Sequence, residues 1–293
     1  MKEITGWEWN NEESVYVQEG FVWGKLDKEL GTNKQGDVIG KSIYDPNSAR
    51  WYNSFEQAQS IRFAVALHWM KSRLSEMLNV EGKKRKKLIL DLGCSRSFIY
   101  RRWKNNMNFF NWPTLHYWGV DSSLKRINDG RNSFVKKKND SVIYFLADLS
   151  SNIKFPAKAD ILICLEVLEH IPKSKVHTLL NNIYNALNST GIAIISSPNP
   201  KEKGGWVWAE SQKSHHYEYI WEEAEKLLIS HGFEILDVTG VLPDRNYFRE
   251  SSFLPIRKRL AELLPASMIN NILLLAEEDM SKKRQWITKL QKK

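Results

Sequence analysis

Three apolar runs in this chain each end on or just before an aspartate, and a fourth leads into a loop that carries two glutamates and a histidine. The first is Leu88-Ile89-Leu90-Asp91-Leu92-Gly93, followed by the small-residue stretch Cys94-Ser95-Arg96-Ser97. The second is Tyr117-Trp118-Gly119-Val120-Asp121-Ser122-Ser123, and the third is Phe145-Leu146-Ala147-Asp148-Leu149. The fourth, from Ala159 to Leu165, runs into Glu166-Val167-Leu168-Glu169-His170. A buried strand that ends in a carboxylate and a bare turn is the chemistry of a nucleotide site at the carboxyl edge of a parallel sheet. Gly93 lets a ligand approach the backbone, and Asp91 can hold a cationic or hydrogen-bonding part of it. A carboxylate at Asp121 suits a pair of ribose hydroxyls; Asp121-Ser122-Ser123 is also a good helix N-cap. Asp148 can be read in the same two ways, as a ligand contact or as a strand-end turn residue. His170, Glu166, Glu169, His215 and His216 are the side chains able to take a proton from a nucleophile.

These residues need a scaffold that brings strand ends together. The apolar runs Leu88–Leu92, Tyr117–Val120, Val142–Leu146, Ile161–Leu165 and Ile192–Ser196 alternate with helical patterns around Lys173–Leu187 and Trp221–His231. Such alternation predicts a mostly parallel sheet covered by helices on both faces. Glu234–Val238, and a strand past Gly240, would complete it. Ahead of the core, Ile61, Ala64, Val65, Leu67, His68, Trp69, Leu74 and Met77 recur at helical spacing and predict an amphipathic helix over Phe55–Leu78. No internal repeat or low-complexity segment is present.

In order and spacing, the four motifs resemble those of class I S-adenosylmethionine (SAM)-dependent methyltransferases, the type 11/12-like group. The resemblance runs from about Lys87 to Gly240. The family's first motif has the pattern acidic-x-Gly-x-Gly-x-Gly; here Ser95 and Ser97 replace the second and third glycines. By this resemblance the fold is α/β, a Rossmann-like seven-stranded mostly parallel sheet with an N-terminal helical and aromatic arm and a C-terminal helical tail. The cofactor is SAM, with S-adenosylhomocysteine as product. Asp91, Gly93, Ser95, Asp121, Ser122, Asp148, Leu149, Leu165 and Glu166 are expected around it. Asp121 would hold the ribose, and Asp148 with the Leu149 amide would contact adenine. The turn at Gly191 and the strand to Ser196 match the fifth strand of such enzymes. A dinucleotide fingerprint, Gly-x-Gly-x-x-Gly after the first strand, is absent.

Methyl transfer from a sulfonium is an in-line displacement, so the protein chiefly aligns the nucleophile and excludes water. His170, His215 and Glu166 are the expected catalytic residues. No Asp/Asn-Pro-Pro-Tyr motif follows the fourth strand and no Pro-Cys nucleophile exists, which disfavours methylation of exocyclic base amines and of cytosine carbon. The expected acceptor is an O or N of a small molecule or glycan-like compound. The alternative starts from Glu166, Glu169, His170 and His215, which resemble the metal-binding set of enzymes that 2′-O-methylate RNA 3′ ends; two carboxylates and two imidazoles can hold Mg²⁺ or Mn²⁺. The same residues are widespread in metal-free relatives, and no metal is the primary expectation. A non-catalytic SAM-fold binding module is the other class, suggested by Ser95 and Ser97; three carboxylates about one pocket argue against it.

Lysine and arginine total 43 against 34 acidic residues, a net charge of +9 that favours an anionic partner such as RNA, a phospholipid surface or a phosphorylated substrate. The two cysteines, Cys94 and Cys164, lie in apolar runs and read as buried thiols rather than a disulfide. The first residues carry no apolar signal core, and no run approaches the ~18 apolar residues of a transmembrane helix. A cytoplasmic setting is the expectation. Residues 1–82 read as an arm and helix, with Trp7, Trp9, Trp23 and Trp51 forming a lid; 83–242 as the core, entered through the charged linker Lys83–Lys87; and 243–293 as a basic, helical tail packed on the core. Over Pro255–Leu275 that tail is also a candidate for peripheral membrane contact. The sequence does not fix an oligomeric state.

Overall fold

A computed structural model describes residues 4–21, 49–81, 86–106, 115–132, 141–200, 215–241, 280 and 285–293. In chain order the elements are strands β1 (Trp7–Asn10) and β2 (Val15–Gln18), helix α1 (Ala49–Glu81), β3 (Lys87–Leu92), α2 (Phe98–Asn106), β4 (Leu115–Asp121), α3 (Leu124–Asn132) and β5 (Ser141–Leu146). They continue with β6 (Ala159–Leu165), α4 (Val176–Ala186), β7 (Leu187–Pro198), α5 (Trp221–Ser230), β8 (Phe233–Gly240) and β9 (Gln285–Lys292). All nine strands form one sheet in the order β1-β2-β5-β4-β3-β6-β7-β9-β8.

From β5 through β7 the strands are parallel, and β9 runs antiparallel between β7 and β8. Seven strands from β3 onward make the expected Rossmann-like core. The N-terminal hairpin adds two more, with β2 parallel to β5. Both faces are buried, so alternate residues enter different cores: Leu88, Leu90 and Leu92 pack with α4 and α5, while Ile89 packs with α1, α2 and α3. β6 repeats the division, with Leu162 and Cys164 on one face and Ile161 and Ile163 on the other. Cys94 and Cys164 are buried free thiols.

Two segments depart from the sequence reading. Part of the arm, expected to be helical and aromatic, is a β-hairpin: Trp7 and Tyr16 pack against Phe145, with Trp7 edge-on to it at 4.7 Å between ring centroids. The tail, expected to be helical, is a strand at its end. Gln285-Trp286-Ile287-Thr288 is rich in β-branched and aromatic residues; Trp286 and Leu290 enter one core and Ile287 the other. β9 also pairs with both β7 and β8, satisfying backbone groups that would otherwise face each other unpaired. The core therefore draws a strand from beyond residue 242. The amphipathic helix is longer than read, Ala49–Glu81 rather than Phe55–Leu78. Trp23, the linker residues Lys83–Arg85 and the Pro255–Leu275 segment lie outside the described residues.

Candidate functional site

The turn after β3 is built around Asp121. Gly93 N and Cys94 N donate to Val120 O at 2.8 and 2.9 Å. Ser95 N donates to Asp121 Oδ2 at 2.8 Å, and Ser123 N to Asp121 Oδ1 at 2.9 Å. One carboxylate thus ties the end of β4 to the turn beyond β3. The cap of α3 is shared with Ser123, whose Oγ accepts from Arg126 N at 3.4 Å.

Gly93, Ser95 and Ser97 all have positive φ, at 71°, 47° and 55°. The two serines therefore keep the left-handed turn that glycine would adopt without strain. Ser97 has a reason to be serine: its buried hydroxyl shares a 2.9 Å hydrogen bond with Tyr144 Oη. A Cβ on Gly93 would lie 2.3 Å from Val167 Cγ2, so the turn passes directly over the loop that follows β6. Asp91 lies beneath, with 4% of its surface exposed, and accepts from Tyr117 Oη at 2.6 Å. Burial pushes its carboxyl up to about 7; the Tyr117 hydroxyl opposes this and the Asp121 charge adds to it.

Asp148 follows β5. Its Oδ1 accepts from Ser150 N at 2.8 Å and Ser150 Oγ at 2.7 Å. The turn-residue role is thus filled by one oxygen, and Oδ2 has no hydrogen bond among the described residues.

A second cluster forms around the loop after β6. Glu166 is left-handed, with φ of 53°. Its Oε1 accepts from Ser196 Oγ at 2.9 Å, and its Oε2 from Gln285 Nε2 at 2.9 Å and Arg62 Nη1 at 3.1 Å. Arg62 in α1 is itself buried and also donates to Gln285 Oε1 at 3.1 Å. Glu169, 1% exposed, accepts from Ser197 Oγ at 3.0 Å, and its carbonyl accepts from His216 N at 2.7 Å.

His215 therefore stands over Glu169. Its ring meets that of His170 edge-on at 4.7 Å between centroids, and its Nδ1 is 2.5 Å from Glu218 Oε1. Burial pushes the Glu169 carboxyl up to about 8, helped by the Glu166 charge and opposed by His215, the backbone and Ser197. For His215, burial lowers the imidazolium pKa, but the Glu218 hydrogen bond and the charges of Glu169, Glu218 and Glu166 outweigh it and leave it raised. Ligand atoms of Glu169, His170 and His215 lie within 4.8 Å of one another.

Residues 90–193 match the methyltransferase domain family. That stretch is about a third of the chain and is similar to a methyltransferase domain. A ubiquinone biosynthesis O-methyltransferase of Rickettsia canadensis is 29% identical over 122 residues, which cover 37% of this chain and 50% of that protein. The match thus spans half the length of that relative. Its counterpart in Rickettsia bellii is 23% identical over 219 residues, 68% of this chain and 82% of that one. The crystal structure of magnesium protoporphyrin IX methyltransferase from Synechocystis PCC 6803 with bound SAH superposes with a TM-score of 0.51 at 15% identity, covering 84% of this chain and 88% of that one. That likeness is one of fold.

SAM is the cofactor that the sequence resemblance implies, and the crevice fits it. A bare left-handed turn leaves room for backbone approach, and Asp91 and Asp121 border it, suiting a ligand with sulfonium and ammonium cations. Of the residues singled out in the sequence, Asp91, Gly93, Ser95, Asp121 and Ser122 come together at the ends of β3 and β4, and Leu165 and Glu166 end the neighbouring strand β6. Asp148 and Leu149 sit beyond β5, on the other side of β4. His170, His215 and Glu169 form the adjacent cluster, while Glu166 is turned into the Arg62–Gln285 pair. The sequence reading did not single out Arg62, Gln285, Ser196 or Ser197. The aromatic and β-branched run Trp286-Ile287-Thr288 could have suggested a strand, but no local signal marks Arg62.

Two outcomes follow. Ser95→Gly relieves a left-handed serine whose hydroxyl makes no hydrogen bond among the described residues and raises stability by about 1 kcal/mol; Ser97→Gly, which also loses the Tyr144 bond, gains less. Urea unfolding checks both. Second, Asp91 and Glu169 are both raised above their ordinary values, so the folded protein holds their protons where the unfolded chain does not, and stability falls as pH rises from the ordinary carboxylate range to about 8. His215, also raised, adds in the same direction. Asp91→Asn and Glu169→Gln each flatten that slope in unfolding midpoints measured between about pH 5 and pH 8.

Proposed function

We propose that this protein transfers the methyl group of SAM to a hydroxyl oxygen of a small-molecule or glycan-like acceptor, with His215 as general base. The observation that carries this reading is the His215–Glu218 pair, at 2.5 Å, beside the loop that underlies the Gly93 turn. When bound, SAM supplies an electrophilic methyl on a sulfonium. The chain's task is then to orient an acceptor oxygen and take its proton. Glu218 fixes the His215 ring through Nδ1 and leaves Nε2 as the atom that receives the proton. His170, edge-on to His215, borders the same space.

Glu166 acts differently in this reading. Both its oxygens are engaged, so it shapes the loop and anchors α1 and β9 rather than serving as base. The relatives named ubiquinone biosynthesis O-methyltransferases support oxygen as the acceptor atom.

A second reading has one observation in its favour. Glu169, His170 and His215 place ligand atoms close enough for a divalent cation, as a metal-dependent RNA 3′-terminal 2′-O-methyltransferase would need. Glu166, the fourth member of that set, is occupied by Arg62, Gln285 and Ser196, which favours the metal-free reading.

Incubation with methyl-labelled SAM and a fractionated lysate, with and without a chelator, tests the two. Label in small molecules or glycans, insensitive to chelator, is the expected result. Label in RNA that disappears with chelator overturns it in favour of the metal reading. No S-adenosylhomocysteine binding by calorimetry, together with no label, reduces the chain to a binding module.

His215→Ala is expected to lower kcat by about 10²–10⁴-fold with little change in S-adenosylhomocysteine affinity. The base must be neutral and its pKa is raised, so kcat/KM climbs with pH through a limb above the ordinary histidine value. Glu218→Gln moves that limb to lower pH. A limb that stays in place removes His215 from the role.

A further inference from the structure

The N-terminal hairpin grips the loop that follows β5 at several points. Gln18, the last residue of β2, accepts from Asp148 N through Oε1 at 3.1 Å. Its Nε2 donates to Ser151 Oγ at 2.7 Å and to Asn152 O at 3.2 Å. Trp7 of β1 adds a bond from Nε1 to Lys154 O at 3.0 Å. From the opposite side Asn182 of α4 donates to Ser151 O at 2.7 Å and accepts from Ile153 N at 3.0 Å.

The hairpin is fixed at its other end. Arg131 of α3 donates to Glu13 O at 2.7 Å and Ser14 O at 3.2 Å, and Asn128 donates to Glu13 Oε2 at 3.0 Å. The β5 loop is thus held between two rigid elements. What it leaves open is directional: one acceptor, Asp148 Oδ2, and one donor, Leu149 N, neither of them hydrogen-bonded among the described residues. An acceptor next to a donor matches the 6-amino group and N1 of adenine. It opposes a 6-oxopurine, whose carbonyl and N1–H present the reverse pattern.

We propose that Gln18 is a positioning residue that gives the cofactor pocket its selectivity for adenine, acting through the Asp148 backbone. The inference rests on the SAM reading of the crevice. Gln18 touches no cofactor. It holds the Asp148–Leu149 peptide so that the carboxylate oxygen and the amide face the base edge together, which makes the hairpin a fixed wall of the cofactor site rather than a lid over the acceptor.

Calorimetry with S-adenosylhomocysteine and its 6-oxo counterpart, S-inosylhomocysteine, tests this. The wild-type protein is expected to prefer the adenine form by about tenfold or more, the scale of one mismatched buried hydrogen bond. Gln18→Met keeps the side-chain volume and removes the bonds; it weakens S-adenosylhomocysteine about tenfold, leaves the 6-oxo form nearly unchanged, and brings the affinity ratio towards one. Gln18→Glu retains the oxygen that accepts from Asp148 N and retains the ratio. If Gln18→Met does not fold, Gln18→Asn, whose shorter amide does not span to Asp148 N, is expected to show the same loss.

A wild-type ratio in the folded Met or Asn variant overturns the inference and leaves the SAM reading intact. Equal weakening of both ligands also overturns it, because that is what general loosening produces. A parent protein that binds neither ligand overturns the SAM reading and this inference with it.

Discussion

The order of the strands reverses at β3. The chain leaves β3 for β4 and β5 on one side, then returns to lay β6 against its other edge. Crossovers that leave a parallel sheet in opposite directions cannot close over the same strand ends, so a crevice opens there. The candidate site residues lie along that crevice. The Gly93–Ser97 turn, Asp121 and Asp148 stand on the outward side, and Glu166, Glu169 and His170 on the return side. The close approach of Gly93 to Val167 marks the seam, with no room for even a methyl group. The Rossmann-like sheet alone therefore predicts where a ligand sits. What it does not dictate is how the rim is stiffened or which side chains face the acceptor.

Stiffening comes from the two ends of the chain. Arg62 on α1 and Gln285 on β9 converge on Glu166, a residue held in a left-handed conformation that costs about 1–3 kcal/mol for a non-glycine side chain. Three partners on three elements make that conformation affordable. Gln18 and Trp7 do the corresponding work on the β5 loop. None of these four residues lies in the stretch 90–193 that matches the methyltransferase domain family. That stretch supplies Asp91, Asp121, Asp148, Glu166, Glu169 and His170, while His215, Glu218 and the residues that orient the site come from the flanking segments. Relatives sharing only the core could therefore share a cofactor and differ in acceptor.

Legibility in the sequence followed the range of the interactions. Asp91, Gly93, Asp121 and Asp148 could be found because each stands at or just beyond the end of a buried strand, so the local pattern and the tertiary position are the same fact. His170 was found for the same reason. Ser95 and Ser97 looked like damage to a glycine motif, yet both keep positive φ; composition shows which residue is present, not which backbone conformation it tolerates. The hairpin and β9 were missed because their strand character depends on pairing with β5, β7 and β8. Four residues such as Trp7–Asn10 carry too short a pattern to announce a strand by themselves. Arg62 was invisible for a stronger reason: its partners lie more than a hundred residues away, and on its own helix it is one more cation.

The electrostatics of the return side bear on the chemistry. Glu166, Glu169 and Glu218 face the Arg62 guanidinium and the His215 imidazole, with His170 edge-on to His215, in a region with little water contact. Such a cluster cannot hold all three carboxylates ionised without strong repulsion. It relieves this in two ways: Arg62 takes Glu166, and the Glu169 carboxyl rises to about 8 and tends to keep its proton. The remaining negative charge, on Glu218, is aimed at His215 Nδ1. A divalent cation would relieve the same repulsion, which is why the arrangement resembles a metal site. A cation there would need Glu169 deprotonated and would gain nothing from Glu166, already paired. Proton uptake by His215 needs neither change, since it adds a positive charge where the surrounding carboxylates favour one. The field of the cluster therefore favours a base that becomes cationic during the reaction, as deprotonation of a neutral hydroxyl acceptor requires.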